Sequence, residues 1–272
     1  MQIELSHPFA QQWQAKDPFT EIEKLDGKIY RALEARKTMQ FIFQEKSYFI
    51  KIHRGVGWFE IIENLLRLRL PVLGASNEYY AIKKLEQLHI DTMKIMAYGI
   101  KGRNPAKQQS FIITEELSPT ISLEDFCAPW KIQAPKFQLK YHIIQKVAYI
   151  SRILHKHGIN HRDYYICHFL LDISDGLEQV QATHLTLSLI DLHRAQLRSV
   201  TPERWLVKDI ASLYFSAMDI GLTQRDFFRF MKYYHHASLR ECLVKHMEFW
   251  KKVEQQGQKL WRRKQRKGDA IA

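Results

Sequence analysis

The residues best placed for chemistry are two aspartates, each beside a short apolar run. Asp163 lies in residues 158–173, GINHRDYYICHFLLDI, where a helix-like stretch leads in and the strand-like CHFLLDI leads out. Asp191 follows in Leu189-Ile190-Asp191-Leu192-His193. Two carboxylates so placed suit phosphoryl transfer. One orients an acceptor hydroxyl and takes its proton; the other holds Mg²⁺ against the phosphates. A third group is Lys51, near the end of the apolar run Tyr48-Phe49-Ile50-Lys51-Ile52. A buried ammonium there needs an anion, because an unpaired charge is costly to bury; an edge-strand lysine in water is the simpler reading. His168 stands five residues after Asp163. Mg²⁺ prefers oxygen to imidazole, so His168 either completes a metal site weakly, binds phosphate or supports the loop. His161 and Arg162 read as structural neighbours of the loop. Taken singly, His-Arg-Asp is a weak signal and either aspartate reads as a turn residue; the ordered set carries the argument.

Elements that could hold these groups follow from periodicity. Residues 1–26 mix aromatics with charge and read as an irregular lead-in. Residues 28–33, 39–43 and 48–52 read as three antiparallel strands, with a turn at 44–47. Between the first two, Glu34-Ala35-Arg36-Lys37-Thr38 stands where a glycine-rich phosphate loop would be expected, and no GxGxxG occurs. Residues 55–74 form an unusual insertion, GVGWFEIIENLLRLRLPVLG. Its apolar residues suggest a helix with Arg67 and Arg69 on the other side. That helix either meets lipid or packs on the sheet. Asn77 reads as the N-cap of a helix to about His89, carrying Glu78 and Glu86. A glutamate there is either a solvated charge or, at Glu78, a favourable charge in the first turn.

Two more strands are expected at 94–98 and 111–114. Glu115-Glu116-Leu117 follows, a segment that by itself carries no sign of nucleotide binding. Prolines 119, 129 and 135 leave no room for a long helix in 118–137. Leu139, Ile143, Val147, Ile150 and Leu154 form one apolar helical stripe, with His155, Lys156 and His157 at its C-terminal end and Gly158 just past it. Such a helix delivers residues 159–163 from a rigid element. A further helix over 205–220 would turn Trp205, Ile210, Leu213 and Ala217 inward.

The chain has 272 residues, 46% apolar, enough for one large domain or one bilobal unit. It carries 41 Lys and Arg against 29 Asp and Glu, so an anionic partner is expected: nucleic acid, acidic membrane, phosphorylated substrate or acidic protein. Basic residues crowd the tail from Trp250, which reads as a helix, either solvated or drawn to anionic headgroups. Cys127, Cys167 and Cys242 form no disulfide or zinc spacing and read as small apolar residues in a reducing cytoplasm. Neither a signal peptide nor a run of about 20 apolar residues is found.

Longer segments sharpen the picture. KIHRGVGW, LPVLGASNEYYAIKKL, FIITEEL, INHRDYYICHFLLD, IDLHRAQ and KDIASLYFSAMDIGLTQRD, spread over nearly the full chain, resemble the lipopolysaccharide core heptose I kinases, the WaaP type, within the protein-kinase superfamily. HRD followed by CHF is not the eukaryotic protein-kinase pattern, so His168 and the missing glycine loop are features this family shares.

The resemblance implies an α+β, bilobal fold: a small antiparallel β lobe with one or two helices (1–114), a hinge and connector (115–137) and a larger helical lobe (138–272). It implies transfer of the ATP γ-phosphate to the 4-hydroxyl of heptose I at the cytoplasmic face of the inner membrane. Asp163 is then catalytic and Asp191 the metal ligand, with His168 beside it as a second metal ligand, a phosphate binder or a support of the loop. Lys51 binds phosphate with Glu78 as its partner, Glu115 and Leu117 form the nucleotide hinge, and Asp209 braces the catalytic loop alongside His161 and Arg162. Implied cofactors are ATP and Mg²⁺. The expected partners are a lipopolysaccharide core/lipid A intermediate, the anionic membrane surface and, less directly, acyl carrier protein. Alternatives are a scaffold that binds no nucleotide and another sugar or protein kinase. No nucleic-acid-binding motif accompanies the charge.

Overall fold

The computed structural model describes residues 1–33, 35–66, 73–177, 180 and 185–269. The chain is α+β, and it divides into two compact units: Met1–Lys84 with Met93–Leu117, and Leu85–Thr92 with Ser118–Ala272.

The first unit is built on a six-stranded sheet. β1 (Gln2–Leu5), β2 (Lys28–Leu33), β3 (Arg36–Phe43), β4 (Lys46–His53), β5 (Ile95–Lys101) and β6 (Gln109–Glu115) lie in the order β1-β5-β6-β4-β3-β2, every neighbour antiparallel. Strand alternation sends Met39, Phe41, Tyr48, Ile50, Ile52, Phe111 and Ile113 into one apolar core. The segment read as an irregular lead-in completes that core. β1 pairs with β5, and α1 (Phe9–Gln12) and α2 (Pro18–Glu21) supply Phe9, Trp13 and Phe19. Phe9, fully buried, stacks on Phe43 at 4.9 Å and meets Tyr48 edge-on at 5.2 Å. Burying one such ring stabilises the unit by about 1.5–3 kcal/mol.

The other sheet face carries the lysine. Lys51 stands opposite Ile112, and Ile112 opposite Tyr98, so all three project to the same side. Helix α4 (Ser76–Gln87) covers that side: Tyr79 stacks on Tyr98 at 4.0 Å, and the Ser76 and Tyr98 hydroxyls are 2.9 Å apart. The insertion begins with α3 (Gly57–Leu66). Ile61 is buried, whereas Trp58, Phe59, Ile62, Leu65 and Leu66 are each more than half exposed. Arg67, Leu68, Arg69 and Pro71 lie outside the described residues. Arg36 and Lys37 already belong to β3, and Arg36 Nη2 donates to Glu60 Oε1 at 2.9 Å.

The second unit is mainly helical. After β7 (Thr120–Ser122), α5 (Leu123–Cys127) is capped by Ser122, whose Oγ accepts from the Asp125 amide at 3.0 Å. α6 (Phe137–Lys156) buries Ile143, Val147, Ile150 and Leu154, four of the five residues in the expected stripe. Gly158 ends it at φ +78°, with the Arg198 carbonyl where a Cβ would stand. That close approach belongs to a small sheet of β8 (Ile159–Asn160) with β11 (Gln196–Leu197). A second small sheet runs β10 (Leu187–Leu189), β9 (Phe169–Asp172), β7. Four helices follow: α7 (Glu203–Ser216), α8 (Gln224–His235), α9 (Leu239–Lys245) and α10 (Met247–Asp269). The α8 N-terminus is closed by a reciprocal cap between Thr223 and Asp226. Cys127 and Cys242 are buried, Cys167 is half-buried, and all three are free.

Candidate active site

Helix α6 ends, Gly158 turns the chain, and β8 leads directly into His161-Arg162-Asp163. This loop could not hold itself: Arg162 sits at φ 75°, a backbone conformation that side chains other than glycine rarely adopt. Asp209, fully buried on α7, fixes it. Its Oδ2 accepts from the His161 amide at 2.6 Å and its Oδ1 from the Arg162 amide at 2.9 Å. A carboxylate receiving two amide donors makes charge-assisted bonds, which offsets the cost of burying it. His161 adds a strut: its Nε2–H donates to the Ile190 carbonyl at 2.9 Å, tying this loop to the residue before Asp191. Burial holds the His161 pKa below the usual histidine range, so the ring works as a neutral donor.

Asp163 is partly buried, and both its oxygens accept from Arg194 Nη1, at 2.8 and 3.0 Å. His168 donates Nδ1–H to the Asp163 main-chain carbonyl at 2.6 Å. That bond leaves Nε2 as the outward atom, 3.6 Å from Asp191 Oδ2. Asp191 adopts the left-handed conformation, φ 61° and ψ 48°, which a short polar side chain tolerates. Its Oδ1 accepts from His193 Nδ1 at 2.6 Å.

No cluster of three or more His, Cys, Asp or Glu suited to a metal occurs among the described residues. Asp191 supplies the one carboxylate here that fits Mg²⁺, and the outward His168 nitrogen beside it is the poorer kind of ligand for that ion. Mg²⁺ commonly takes one or two protein carboxylates and fills its octahedron with water and phosphate oxygens.

In the first unit, Lys51 Nζ on β4 donates to Glu78 Oε1 on α4 at 2.7 Å. Glu78 is 1% exposed, and its second oxygen has no hydrogen-bond partner. The pair follows from the register above: Lys51 lies on the sheet face that α4 covers, and Glu78 precedes the Tyr79 that stacks there. Glu115 ends β6, its amide donating to the Lys94 carbonyl at 3.0 Å and its side chain lying between Lys46 and Lys94. Leu117 closes the unit.

Two neighbours of the aspartates were not singled out from sequence. Arg194 grips Asp163 from 31 positions away, and His193 holds Asp191. Both lie in the IDLHRAQ segment, but an arginine three residues past an aspartate carries no signal that it reaches back to an earlier loop. Trp205 is also placed differently from expectation. It is only partly buried and is ringed by cations instead of packing inward.

Comparison with known proteins agrees over the whole length. The family model described as lipopolysaccharide kinase (Kdo/WaaP) family matches residues 20–234. The chain is 48% identical over 271 residues, covering 100% of both chains, to a Pseudomonas aeruginosa protein named lipopolysaccharide core heptose(I) kinase WaaP. It is 50% identical to an Escherichia coli protein of the same name over 266 residues, covering 97% of this chain and 99% of that one. A solved structure described as WaaP in complex with acyl carrier protein superposes with a TM-score of 0.84 at 43% identity, covering 96% of this chain and all of the other.

Proposed function

The chain belongs to the lipopolysaccharide kinase (Kdo/WaaP) family, and we propose that it transfers the γ-phosphate of ATP to the 4-hydroxyl of heptose I in the lipopolysaccharide inner core. The observation that carries this reading is near-50% identity, end to end, with two heptose(I) kinases.

Asp163 is the group that meets the acceptor hydroxyl, orienting it and accepting its proton. Asp209 and His161 keep the loop beneath it rigid, which matters because phosphoryl transfer depends on alignment and charge compensation more than on covalent help. Asp191 and His168 would hold Mg²⁺, which when bound neutralises phosphate charge. Lys51, set by Glu78, binds the nucleotide phosphates, and the main chain at Glu115 and Leu117 takes the adenine. Residues 1–114 form the nucleotide lobe, 115–137 the hinge and connector, and 138–272 the lobe that presents the acceptor.

Two surfaces support the wider setting. The exposed apolar side chains of α3 suit shallow insertion at the inner face of the inner membrane. No helix among the described residues is long and apolar enough to cross a membrane. The similar structure with acyl carrier protein supports such a carrier as a partner here. A largely apolar cavity of about 420 Å³ inside the second unit, lined by Trp130, Ile144, Leu213, Phe230 and Trp250 among others, has the chemistry to take an acyl chain.

The test is phosphate transfer from ATP to core lipopolysaccharide lacking the heptose phosphate, with mass spectrometry locating the product. One added phosphate on heptose I supports the reading; transfer only to another sugar, or none, overturns it.

A further inference from the structure

Trp205, in the first turn of α7, sits amid a concentration of positive charge. The guanidinium carbons of Arg162, Arg198 and Arg204 lie 5.7, 5.8 and 5.5 Å from its ring centre, and Lys208 Nζ lies 5.2 Å away. These cations come from three places: the loop carrying Asp163, the end of β11, and α7. Arg194, bonded to Asp163, is a fifth, close enough to Arg162 and Lys208 to help depress both.

The nearby carboxylates do not balance this charge. Asp163 is taken by Arg194, and Asp209, held by the His161 and Arg162 amides and 3.5 Å from His155 Nε2, sets a single negative charge against the remaining four cations. Among the described residues, Arg162, Arg198, Arg204 and Lys208 form no ion pair. Among the described residues, the Arg198 guanidinium bonds the neutral amide oxygens of Asn160 and Gln196. Arg162 is 6% exposed, and its Nε–H has no partner. An indole face attracts a cation but does not cancel repulsion among several. The Lys208 pKa is lowered first by burial and then by the charges of Arg162 and Arg194, with Asp209 and Asp163 opposing the shift. Arg204 is exposed, whereas Arg162 is buried and Arg198 and Lys208 are half-buried; partly desolvated like charges are a liability to the fold alone and an asset once an oxyanion sits among them.

We propose that Arg162, Arg194, Arg198, Arg204 and Lys208, gathered around Trp205, form a subsite for an oxyanion, carboxylate or phosphate, that the acceptor carries close to the sugar being phosphorylated. The cluster shares Arg194 with Asp163 and includes the residue before it, so an anion held here arrives on the molecule that brings the hydroxyl. This rests on the reading of Asp163 as the residue that meets that hydroxyl. Arg198, Arg204 and Lys208 then set acceptor specificity through charge, while Trp205 keeps their side chains gathered.

The test uses the intact protein and two probes: inorganic phosphate and gluconate, a sugar carboxylate, each against sodium chloride at matched ionic strength. Tryptophan fluorescence, read as the difference between the protein and Trp205→Phe, should change saturably with one probe. Arg204→Gln and Lys208→Gln should each weaken that response about tenfold, the worth of one charge-assisted hydrogen bond. Saturation by gluconate alone assigns the site to a carboxylate, and by phosphate alone to a phosphate monoester. No response beyond the salt control in the unmodified protein overturns the subsite.

In the transfer assay the same two variants should raise the acceptor KM about tenfold and leave the ATP KM unchanged. Anion binding with an unchanged acceptor KM overturns the link to the acceptor. Anion binding lost in the glutamine variants, in a protein that phosphorylates no lipopolysaccharide, supports the subsite and overturns the acceptor class proposed above.

Discussion

Arg194 Nη1 donates to both carboxylate oxygens of Asp163, at 2.8 and 3.0 Å, across 31 residues of sequence. The proposed base is therefore held by a cation as well as by its own loop. The pair is partly exposed, so it adds no more than about 1 kcal/mol to stability, but it fixes where the carboxylate points. Arg194→Ala should leave the melting temperature nearly unchanged and lower kcat at least tenfold, about the effect of a mispositioned reacting group. Steady-state kinetics beside thermal melts check this; unchanged kcat would remove the positioning role.

Asp209 bonds the amides of His161 and Arg162, and an isosteric change tests it. An asparagine in its place would face one of those N–H donors with its own NH₂ group. Asp209→Asn should cost about 1.5–3 kcal/mol of stability, the range for hydrogen bonds to a charged group, and depress kcat as the loop loosens. Urea unfolding midpoints give the first quantity and turnover under native conditions the second.

Glu78 is almost fully buried while Lys51 keeps some exposure, so the pair is worth less than a wholly buried one. Glu78→Gln keeps the shape and removes the charge. Stability should fall by only about 1 kcal/mol, while Lys51, no longer aimed, should lose ATP affinity about tenfold. Calorimetric titration with a non-hydrolysable ATP analogue measures it, and undiminished affinity would argue against the phosphate role of Lys51.

Acid should weaken the second unit through a histidine. His235 stacks on His246 at 3.8 Å, and burial followed by the His246 charge pushes its pKa down to about 4. An unfolded histidine titrates near 6.5, so between these values the unfolded chain binds the extra proton. The contribution is intact above about pH 6.5 and is lost as pH falls toward about 4. Buried His161, shifted in the same direction, adds to it. His235→Phe keeps an aromatic ring against Phe249 and Trp250 but cannot titrate. Its urea midpoint should fall less between pH 7 and pH 5 than that of the unmodified protein.

Much of this was legible in the residues because it is local. The alternation in β3 and β4, the stripe in α6 and the glycine that ends it are periodic patterns with a direct physical reading. Asp163, Asp191 and Lys51 stood out because charged groups beside apolar runs need a reason. The N-terminal segment was harder: Gln2–Leu5 is a four-residue edge strand, too short for alternation to show, and Phe9, Trp13 and Phe19 are spaced by the sheet they cover, not by any period of their own. Trp205 was expected to face inward on hydrophobicity alone. What decides its place is the set of cations around it, drawn partly from distant loops, which no local pattern announces. The grip of Arg194 on Asp163 is hidden for the same reason.

The proposed transfer to heptose I depends above all on Asp163. The most direct measurement is single-turnover phosphate transfer by Asp163→Asn to core lipopolysaccharide lacking that phosphate, with calorimetry confirming that the variant still binds Mg·ATP. The variant should be folded and bind nucleotide, with transfer reduced at least a hundredfold, the lower end of what general acid–base catalysis contributes. A variant that phosphorylates heptose I at the unmodified rate would contradict it.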